Sequence, residues 1–349
     1  MRRIAHLIVA LCLLYAVAIV GWQVLRLLCG DCRWWLIVAN TFSPHLFWPL
    51  VVLIPLALLS RRRAALAAVA APTLILALLY GELFLPRLRP IGPAEGPQLR
   101  VMTFNVLYIN DDGAAVEQLI EAESPDVVFV QELTPRLAAD LETRLDDSPP
   151  YRLLFPAEGT TGIGIFSRFP LSGGELLPDP AEEVGWWRQG ALAATLDFQG
   201  QPVALLNVHA APPPSNIFGQ GWPSSFETVA HLRERELALW MEWAARQDAP
   251  LIAAGDFNLS DQNAGYRLVA AHLRDAHRQA GWGWGHTWQA YASRFAGLPL
   301  FKRIVHLDYI WYSDRWEAAE VHVAPWDGQS DHLAVVATLL LKKPPAGLD

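Results

Sequence analysis

The sequence predicts an α/β sandwich with helices outside its sheets, preceded by about three transmembrane helices. Long apolar runs are confined to the first 86 residues, whereas strand-like and helix-like segments alternate after residue 98. A hairpin also joins two of the strands, which argues against a doubly wound parallel sheet. We therefore divide the chain into a transmembrane region (1–86), a Pro- and Gly-rich linker (87–98) and a soluble domain (99–349).

Each of three apolar runs is long enough to cross a bilayer, which needs about 20 apolar residues. They cover residues 4–25, 34–60 and 64–85. A cleavable signal peptide is the alternative for the first run, but two more spans follow it directly. Polar residues interrupt the second run, so the alternative there is a shorter span over 46–60, with Trp34 and Trp35 at the membrane interface.

Basic residues in short segments predict the orientation of the spans. Arg2 and Arg3 mark the N-terminus as cytoplasmic, and the arginines at 61–63 mark the loop between the second and third spans as cytoplasmic. Three crossings make this an integral protein of the plasma or inner membrane with an extracytoplasmic domain, whereas a re-entrant second segment would reverse that side. The loop after the first span contains Cys29 and Cys32, which we expect either as a disulfide or as idle thiols.

The soluble domain begins with a strand–helix–strand unit. Residues 99–106 and 126–133 are apolar runs of strand length. The segment 114–122 between them has an apolar face at helical spacing, and a Ser-Pro pair at 124–125 ends that helix.

The remaining elements continue the alternation. Thr134 followed by Pro135 predicts the N-cap and first position of a helix that reaches about residue 145. A longer helix with one apolar stripe covers 226–247. The other strand-like runs cover, in chain order, 162–171, 190–198, 203–210, 250–258, 304–313 and 332–341. The turn "QGQP" joins the second and third of these into the hairpin.

Several of these strands end on, or are preceded by, polar side chains suited to one task. The residues are Asn105, Glu132, His209, Asp256, Asn258, Asp308, Asp331 and His332. Each one alone is as readily explained as a loop cap or a satisfied core residue. Together they indicate a catalytic site, because the strand ends of a rigid core hold side chains in fixed positions.

This set of residues fits phosphoryl transfer assisted by a hard cation. Mg²⁺ binds oxygen ligands, usually one or two carboxylates together with water and substrate phosphate. Glu132 is the strongest candidate ligand, and Asn105 and Asp331 are further oxygen donors. The domain lacks the residues that other chemistries require. It has no cysteine for a thiol nucleophile, no G-x-S-x-G motif of a serine hydrolase, no H-E-x-x-H motif of a zinc site and no Walker lysine of a nucleotide P-loop.

The other polar residues fit the proton transfer and charge stabilisation of the same reaction. Asp256 is suited to align or deprotonate the attacking water, with Asn258 holding that geometry. His332, supported by Asp308, is suited to stabilise the developing charge or to move a proton. His209 is suited to bind the phosphate from the other side.

The order of these motifs resembles that of the endonuclease/exonuclease/phosphatase superfamily, which includes DNase I-like nucleases, inositol-polyphosphate phosphatases and neutral sphingomyelinases. The similarity spans about residues 99–342 and rests, in chain order, on "TFNV", "VQEL", "GIGIFSRFPL", "NVHA", "GDFN", "HLDYI" and "SDH". It implies a four-layer α/β sandwich (DNase I-like), a phosphoesterase dependent on Mg²⁺ or alternatively Mn²⁺, and the same site roles. One departure is His306, at a position where the family often has Arg; Arg303 lies nearby and is the candidate substitute.

The charge of the soluble domain disfavours nucleic acid as its partner. Residues 1–97 contain 9 of the 27 Lys and Arg and 3 of the 35 Asp and Glu, which leaves 18 basic and 32 acidic residues and a net charge of −14 in the remainder. Such a domain repels polyanions, because neutralising phosphates is the main source of non-specific nucleic-acid affinity.

The link to a bilayer favours a substrate at the membrane. The domain contains 11 Trp, a residue that favours membrane interfaces, among them Trp186, Trp187, Trp222 and the run 281–288. The Pro-rich loop over 211–225 follows His209 and would border the cleft. We therefore expect a phosphoesterase that acts on lipid head groups or other small phosphodiesters or phosphomonoesters.

Two alternatives remain from the sequence. The first is a non-specific endo- or exonuclease, because one fold hosts many phosphoester substrates. The second is a catalytically inactive, membrane-anchored binding module, against which the intact set of Glu132, Asp256 and His332 argues.

Overall fold

The computed structural model describes residues 2–85, 96–145, 149–180, 190–213, 224–290, 293–295 and 298–342. Most of the linker, the Pro-rich loop from 214 to 223, and Trp186, Trp187 and Trp222 therefore lie outside the described residues.

The N-terminal region consists of helices separated by short turns. In chain order these are α1 (Arg2–Cys29), α2 (Trp34–Thr41), a 3₁₀ turn (Ser43–Phe47), α3 (Leu50–Ser60), α4 (Arg63–Tyr80) and a second 3₁₀ turn (Gly81–Phe84). Three stretches are long and apolar enough to cross a membrane: Arg2–Cys29, Ser43–Ser60 and Arg63–Phe84. The second apolar run breaks after α2, because Pro44 has no amide hydrogen with which to continue that helix. In the turn after α1, Cys29 and Cys32 form a disulfide.

Strands and helices alternate through the domain that follows. The strands are β1 (Gln98–Asn105), β2 (Val127–Gln131), β3 (Tyr151–Phe155), β4 (Ile163–Ser167), β5 (Leu171–Leu176), β6 (Ala191–Phe198), β7 (Gln201–His209), β8 (Leu251–Asp256), β9 (Arg274–Asp275), β10 (Ser293–Phe295), β11 (Leu298–Phe301), β12 (Asp308–Tyr312), β13 (Trp316–Val323) and β14 (Val335–Leu341). The helices are α5 (Gly113–Glu123), α6 (Pro135–Arg144), α7 (Ser224–Ala245), α8 (Ala264–Ala270) and α9 (Ala276–Ala280).

Two six-stranded sheets pack face to face and carry helices on their outer faces. The first has the strand order β13-β14-β1-β2-β4-β3 and the second β5-β6-β7-β8-β12-β9. Their inner faces share one apolar core, in which Leu99 and Phe129 of the first sheet join Leu205 and Ile252 of the second. Helices α5 and α6 pack on the outer face of the first sheet, and α7 and α8 on that of the second. The expected four-layer α/β sandwich is confirmed.

The single strand expected over 162–171 is wrong. β4 ends at Ser167 and β5 begins at Leu171, and the two strands belong to different sheets. Pro170 lies between them and cannot donate a ladder hydrogen bond, so the apolar run is interrupted where the chain crosses from one sheet to the other.

The topology brings several strand ends to one edge of the sandwich. β1 runs parallel to β2, and β7 runs parallel to β8, so the carboxyl ends of each pair lie side by side. β12 runs antiparallel to β8 and begins at the same edge, with Asp308 opposite Asp256. The polar strand ends expected to form a site are therefore neighbours in space.

The N-terminal helices are hydrogen-bonded to the loop that leaves this edge. Asp31, in the turn after α1, accepts from the Asn263 side chain at 3.2 Å and from the Ala264 backbone nitrogen at 2.9 Å. Ser260 Oγ donates to the Asn40 carbonyl oxygen at 2.9 Å. Ser260, Asn263 and Ala264 lie between the end of β8 and the start of α8, so the segment that leaves β8 is fixed against the N-terminal region.

A second set of contacts joins the end of α4 to the domain. The Arg278 guanidinium of α9 forms ion pairs with Glu82 and Asp261. The rings of Tyr80 and Phe84 pack edge-on against Trp284, with centroids 5.1 Å and 5.0 Å away. The turn after α1 and the end of α4 thus contact the same side of the domain.

Candidate active site

The structure brings the sequence-predicted polar residues together at the common edge of the two sheets. Six of them form one buried cluster: Asn105, Glu132, His209, Asp256, Asp308 and His332. Asn258 and Asp331 lie beside this cluster, each bonded to a loop that borders it.

Asn105 holds two carboxylates in place. Its Nδ2 donates to Glu132 Oε1 and to Asp256 Oδ2, both at 3.1 Å, while its Oδ1 accepts from the Leu107 backbone nitrogen at 3.0 Å. The Tyr108 backbone nitrogen donates to the other Glu132 oxygen at 2.9 Å. The Asn105 amide therefore links the end of β1 to acids that follow β2 and end β8.

Two histidines flank Asp256. His332 Nδ1 donates to Asp308 Oδ2 at 2.8 Å, and its Nε2 lies 3.7 Å from Asp256 Oδ2. His209 Nε2 lies 3.9 Å from both Asp256 Oδ2 and Glu132 Oε1. Asp256 thus sits between two imidazoles and next to a second carboxylate.

Burial shifts the pKa values of these groups. Burial, reinforced by the charge of Asp308, raises the pKa of Asp256 to about 7. Burial also raises the pKa of Glu132. Burial alone would lower the pKa of His332, but the charges of Asp308 and Asp256 outweigh it and raise that pKa to about 10. His332 is therefore an imidazolium at neutral pH, able to donate a proton or a hydrogen bond.

The donor set of the cluster fits a divalent cation near Glu132. Asp256, Asp308 and His332 offer ligand atoms within 4.8 Å of one another, but a protonated His332 cannot bind a metal. Glu132 accepts hydrogen bonds from the neutral Asn105 amide and from the Tyr108 backbone nitrogen, and burial raises its pKa, so its charged form is costly without further positive charge. A hard cation bound by carboxylate oxygen would supply that charge.

The backbone is strained at two residues of the predicted site. Glu132 and Asn258 adopt φ angles of 59° and 50°, in the left-handed region that non-glycine residues rarely occupy. The Asn258 backbone nitrogen donates to Asp256 Oδ1 at 2.9 Å, and its side-chain nitrogen donates to the Ala210 carbonyl oxygen at 3.0 Å. These bonds tie the loop after β8 to the loop after β7, and such strain is typical of functional sites.

The His306 position does not supply a positive charge. His306 Nε2 donates to the Asp308 carbonyl oxygen at 2.8 Å, and the ring stacks on Tyr309 at 4.2 Å. Burial lowers the pKa of His306 well below its usual value, so the ring is neutral. Arg303 is exposed and lines a groove away from the cluster.

Two positioning residues were missed by sequence reasoning. Gln131 Nε2 donates to Asn207 Oδ1 at 2.7 Å, and Asn207 Nδ2 donates to the carbonyl oxygens of Val130 and Gly164 at 3.0 Å and 2.7 Å. Both side chains are fully buried between the sheets, directly beneath Glu132 and His209. The sequence feature that could have indicated them is a single amide side chain inside each apolar run, in "VVFVQE" and "VALLNVH".

Comparison with known proteins adds a family and a set of similar folds. The Endonuclease/Exonuclease/phosphatase family model matches residues 102–332. An endonuclease/exonuclease/phosphatase from Beutenbergia cavernae is 24% identical, with 72% of this chain and 73% of that chain covered and a TM-score of 0.55. No curated protein matches the chain.

Two further solved structures share the fold at lower identity. The family protein from Bacteroides vulgatus is 18% identical over 70% of this chain and 100% of that chain, with a TM-score of 0.55. D. rerio TDP2, solved with a single-strand DNA product, is 20% identical over 69% of this chain and 98% of that chain, also with a TM-score of 0.55.

The amide pair between the sheets can be tested by substitution. Asn207→Leu should lower the free energy of unfolding by about 3 kcal/mol, because Gln131 Nε2 keeps only its Thr103 partner and two buried carbonyl oxygens lose the Asn207 donor. Thermal and chemical unfolding of the full chain in detergent measures this change. Gln131→Leu combined with Asn207→Leu should be less destabilised than the two single variants added together, since both partners are then apolar. An Asn207→Leu protein within about 0.5 kcal/mol of the wild type would contradict the assignment.

Proposed function

This chain belongs to the Endonuclease/Exonuclease/phosphatase family and is therefore a metal-dependent phosphoester hydrolase, and on that premise we propose that it hydrolyses a phosphoester in the head group of a membrane lipid. We propose Mg²⁺ as the cation, with Mn²⁺ as a substitute. The observation that carries the lipid proposal is the contact between the N-terminal helices and the segment that follows β8.

In the proposed mechanism Glu132 holds the cation, assisted by Asn105 and Asp331. When bound, the cation supplies positive charge that neutralises the substrate phosphate and polarises the scissile bond. Asn105 fixes the orientation of Glu132 through its 3.1 Å hydrogen bond and keeps that carboxylate apart from Asp256. Asp331 lies at the rim, where its Oδ2 accepts from Trp288 Nε1 at 3.2 Å.

Asp256 aligns the attacking water and accepts its proton. Its Oδ1 is occupied by the Asn258 backbone nitrogen, so Oδ2 is the oxygen that faces the cluster. A pKa of about 7 suits a general base at neutral pH. Asn258 therefore serves as a positioning residue that fixes the rotation of this carboxylate.

The histidines stabilise the charge that develops on the phosphate. His332 uses Nδ1 for Asp308, which leaves its Nε2–H to donate to a phosphate oxygen. His209 contacts the phosphate from the opposite side of Asp256. Asp308 is a positioning residue, because it holds the His332 ring in orientation and in its charged form.

Turnover and its metal dependence test the catalytic assignment. The full chain in detergent should hydrolyse bis-p-nitrophenyl phosphate with Mg²⁺ or Mn²⁺, and EDTA should abolish the reaction. Asp256→Asn should lower kcat by about 10²–10⁴-fold, because the water loses its base, whereas Asp197→Asn, an exposed acid on β6, should match the wild type. A wild-type rate in the Asp256→Asn protein, or full turnover in EDTA, would sink the assignment.

The position of the cleft supports a lipid substrate. Asp31 lies in the turn after α1, which is long and apolar enough to cross a membrane, and Asn40 lies near the end of the short helix α2. Both bind the segment that follows β8, at Ser260 and Ala264. A membrane crossed by α1 would therefore lie near the catalytic cluster. The net charge of −14 in residues 98–349 further disfavours a polyanionic substrate.

We propose that the catalytic domain lies on the extracytoplasmic side of the membrane. The turn after α1 and the end of α4 both contact the domain, whereas the arginines at 61–63 lie at the other ends of the neighbouring helices. Basic residues favour the cytoplasmic side. Protease added to sealed, right-side-out membrane vesicles should cleave the domain, and complete protection would reverse the assignment.

Two other functions compete with lipid hydrolysis. A nuclease is favoured by the similarity to D. rerio TDP2, which was solved with a DNA product. A catalytically inactive binding module is disfavoured by the buried cluster, in which Glu132, Asp256 and His332 all converge.

A direct comparison of substrates separates lipid from nucleic acid. The full chain in phospholipid nanodiscs with Mg²⁺ should release a phosphate-containing head group faster than it nicks plasmid DNA, by about tenfold or more per site, because the domain repels polyanions. Phosphorus NMR and gel electrophoresis measure the two products, and Asp256→Asn controls for contaminating enzymes. Faster cleavage of DNA than of any phospholipid would favour the nuclease.

A further inference from the structure

A groove lies where the second apolar stretch meets the catalytic domain. It has a volume of about 240 Å³ and is lined by Pro44, His45, Trp48, Trp284, His286, Lys302, Arg303 and Ile304. His45 Nε2 donates to the Ile304 carbonyl oxygen at 2.7 Å, and His286 Nδ1 donates to the Arg303 carbonyl oxygen at 2.7 Å. Both histidines thus fix the segment after β11 that carries the two basic residues.

The charge lining this groove is positive. Lys302 and Arg303 are exposed, and across the described part of the chain neither side chain is paired with a carboxylate. The Lys302 ammonium lies 5.8 Å above the Trp326 ring. Within a domain of net charge −14, this is a local site of attraction for an anion.

The other wall of the groove faces the expected level of the membrane interface. Trp48 is 58% exposed at the start of the second apolar stretch, and Val51 and Val52, which follow on α3, are 76% and 60% exposed. Trp284 forms the facing aromatic wall. Tryptophan favours the head-group region of a bilayer, and exposed valines favour acyl chains.

The wall of the groove is separated from the catalytic cluster by one hydrogen-bonded segment. The Ile304 backbone nitrogen donates to the Trp288 carbonyl oxygen at 3.0 Å, and Trp288 forms an isolated bridge with His332. Two strand spacings of about 4.8 Å place the groove wall roughly 10 Å from His332. Lys302 also approaches the loop before His332, since Trp326 Nε1 donates to the Ser330 carbonyl oxygen at 2.7 Å.

We propose that this groove binds the anionic head group of a membrane lipid, with Lys302 and Arg303 as its cationic contacts and the acyl chains alongside α3. The occupant is a lipid rather than a free anion, because one wall of the groove is Trp48 and the exposed apolar surface continues from it along α3. That this lipid is also the substrate rests on the proposed function.

Equilibrium binding in EDTA tests the groove without turnover. The probe is a fluorescent short-chain phosphatidylglycerol, titrated into the full chain in detergent micelles, with phosphatidylcholine of equal chain length as the zwitterionic comparison. Lys302→Gln combined with Arg303→Gln should weaken phosphatidylglycerol binding by about 25-fold, or about fivefold for each charge, because each basic residue near an anionic lipid contributes about 1 kcal/mol. Phosphatidylcholine binding should not change.

A matched pair of substitutions controls for net charge. Arg246→Gln combined with Lys342→Gln removes the same two charges at the opposite end of the sandwich and should bind phosphatidylglycerol as the wild type does. Equal affinity of the groove variant and this control would overturn the proposal. Displacement of the lipid by millimolar inorganic phosphate would also overturn it, since the occupant would then be a free anion.

The outcomes separate this inference from the proposed function. Because EDTA prevents turnover, tight and charge-dependent binding would stand even if no phospholipid were hydrolysed, and that result would contradict the lipid-hydrolase proposal alone. If the Lys302 and Arg303 substitutions did not weaken phosphatidylglycerol binding while lipid hydrolysis stayed intact, only the proposal that the groove binds a lipid would be contradicted. The Lys302→Gln and Arg303→Gln single variants, both at exposed positions, keep the test readable if the double variant unfolds.

Discussion

The structure depends on how three carboxylates are buried together at one edge of the sandwich. Glu132, Asp256 and Asp308 are buried side chains of one cluster, and ionising a buried acid without compensation costs several kcal/mol. The chain compensates with the Asn105 amide, the Tyr108 backbone nitrogen and the His332 imidazolium. Burial nonetheless raises the pKa values of Glu132 and Asp256, so both carboxylates remain costly to ionise. A divalent cation bound by Glu132 would lower that cost and would also bind the substrate phosphate, which connects stability to chemistry.

The site was easier to predict from the sequence than the sheets that hold it. Each polar residue of the cluster lies at the end of an apolar run or just before one. The parallel pairing of β1 with β2 and of β7 with β8 then brings the carboxyl ends of these strands together. β3 and β13 were not anticipated, because their outward faces mix polar and apolar residues, as expected for strands at the edges of a sheet. The run 162–171 was misassigned since apolar composition does not reveal a change of sheet at Pro170. The Gln131–Asn207 pair was overlooked because a single amide within an apolar strand gives no indication of its partner across the core.

The N-terminal helices are more than a tether in this account. Asp31 and Asn40 bind the segment after β8, and Glu82 binds Arg278 of α9, so two separate turns of the apolar region contact the domain. No sequence pattern indicated these contacts, which join residues more than 190 positions apart. Their consequence is geometric. The segment that follows Asp256 and Asn258 is held by the turn after α1 and by the end of α2, and α1 is long and apolar enough to cross a membrane. If α1 spans a bilayer, as we propose, the catalytic cluster lies beside that bilayer.

We propose that the buried acids hold a divalent cation through Glu132. The most direct measurement is the position of Mn²⁺ in crystals of the full chain, located by anomalous scattering. We expect an anomalous peak about 2.0–2.6 Å from a Glu132 carboxylate oxygen, with Asn105 and Asp331 on the same side and His332 outside the coordination sphere. A peak coordinated by His332 and Asp308 without Glu132, or no peak in the cluster at saturating Mn²⁺, would contradict the account.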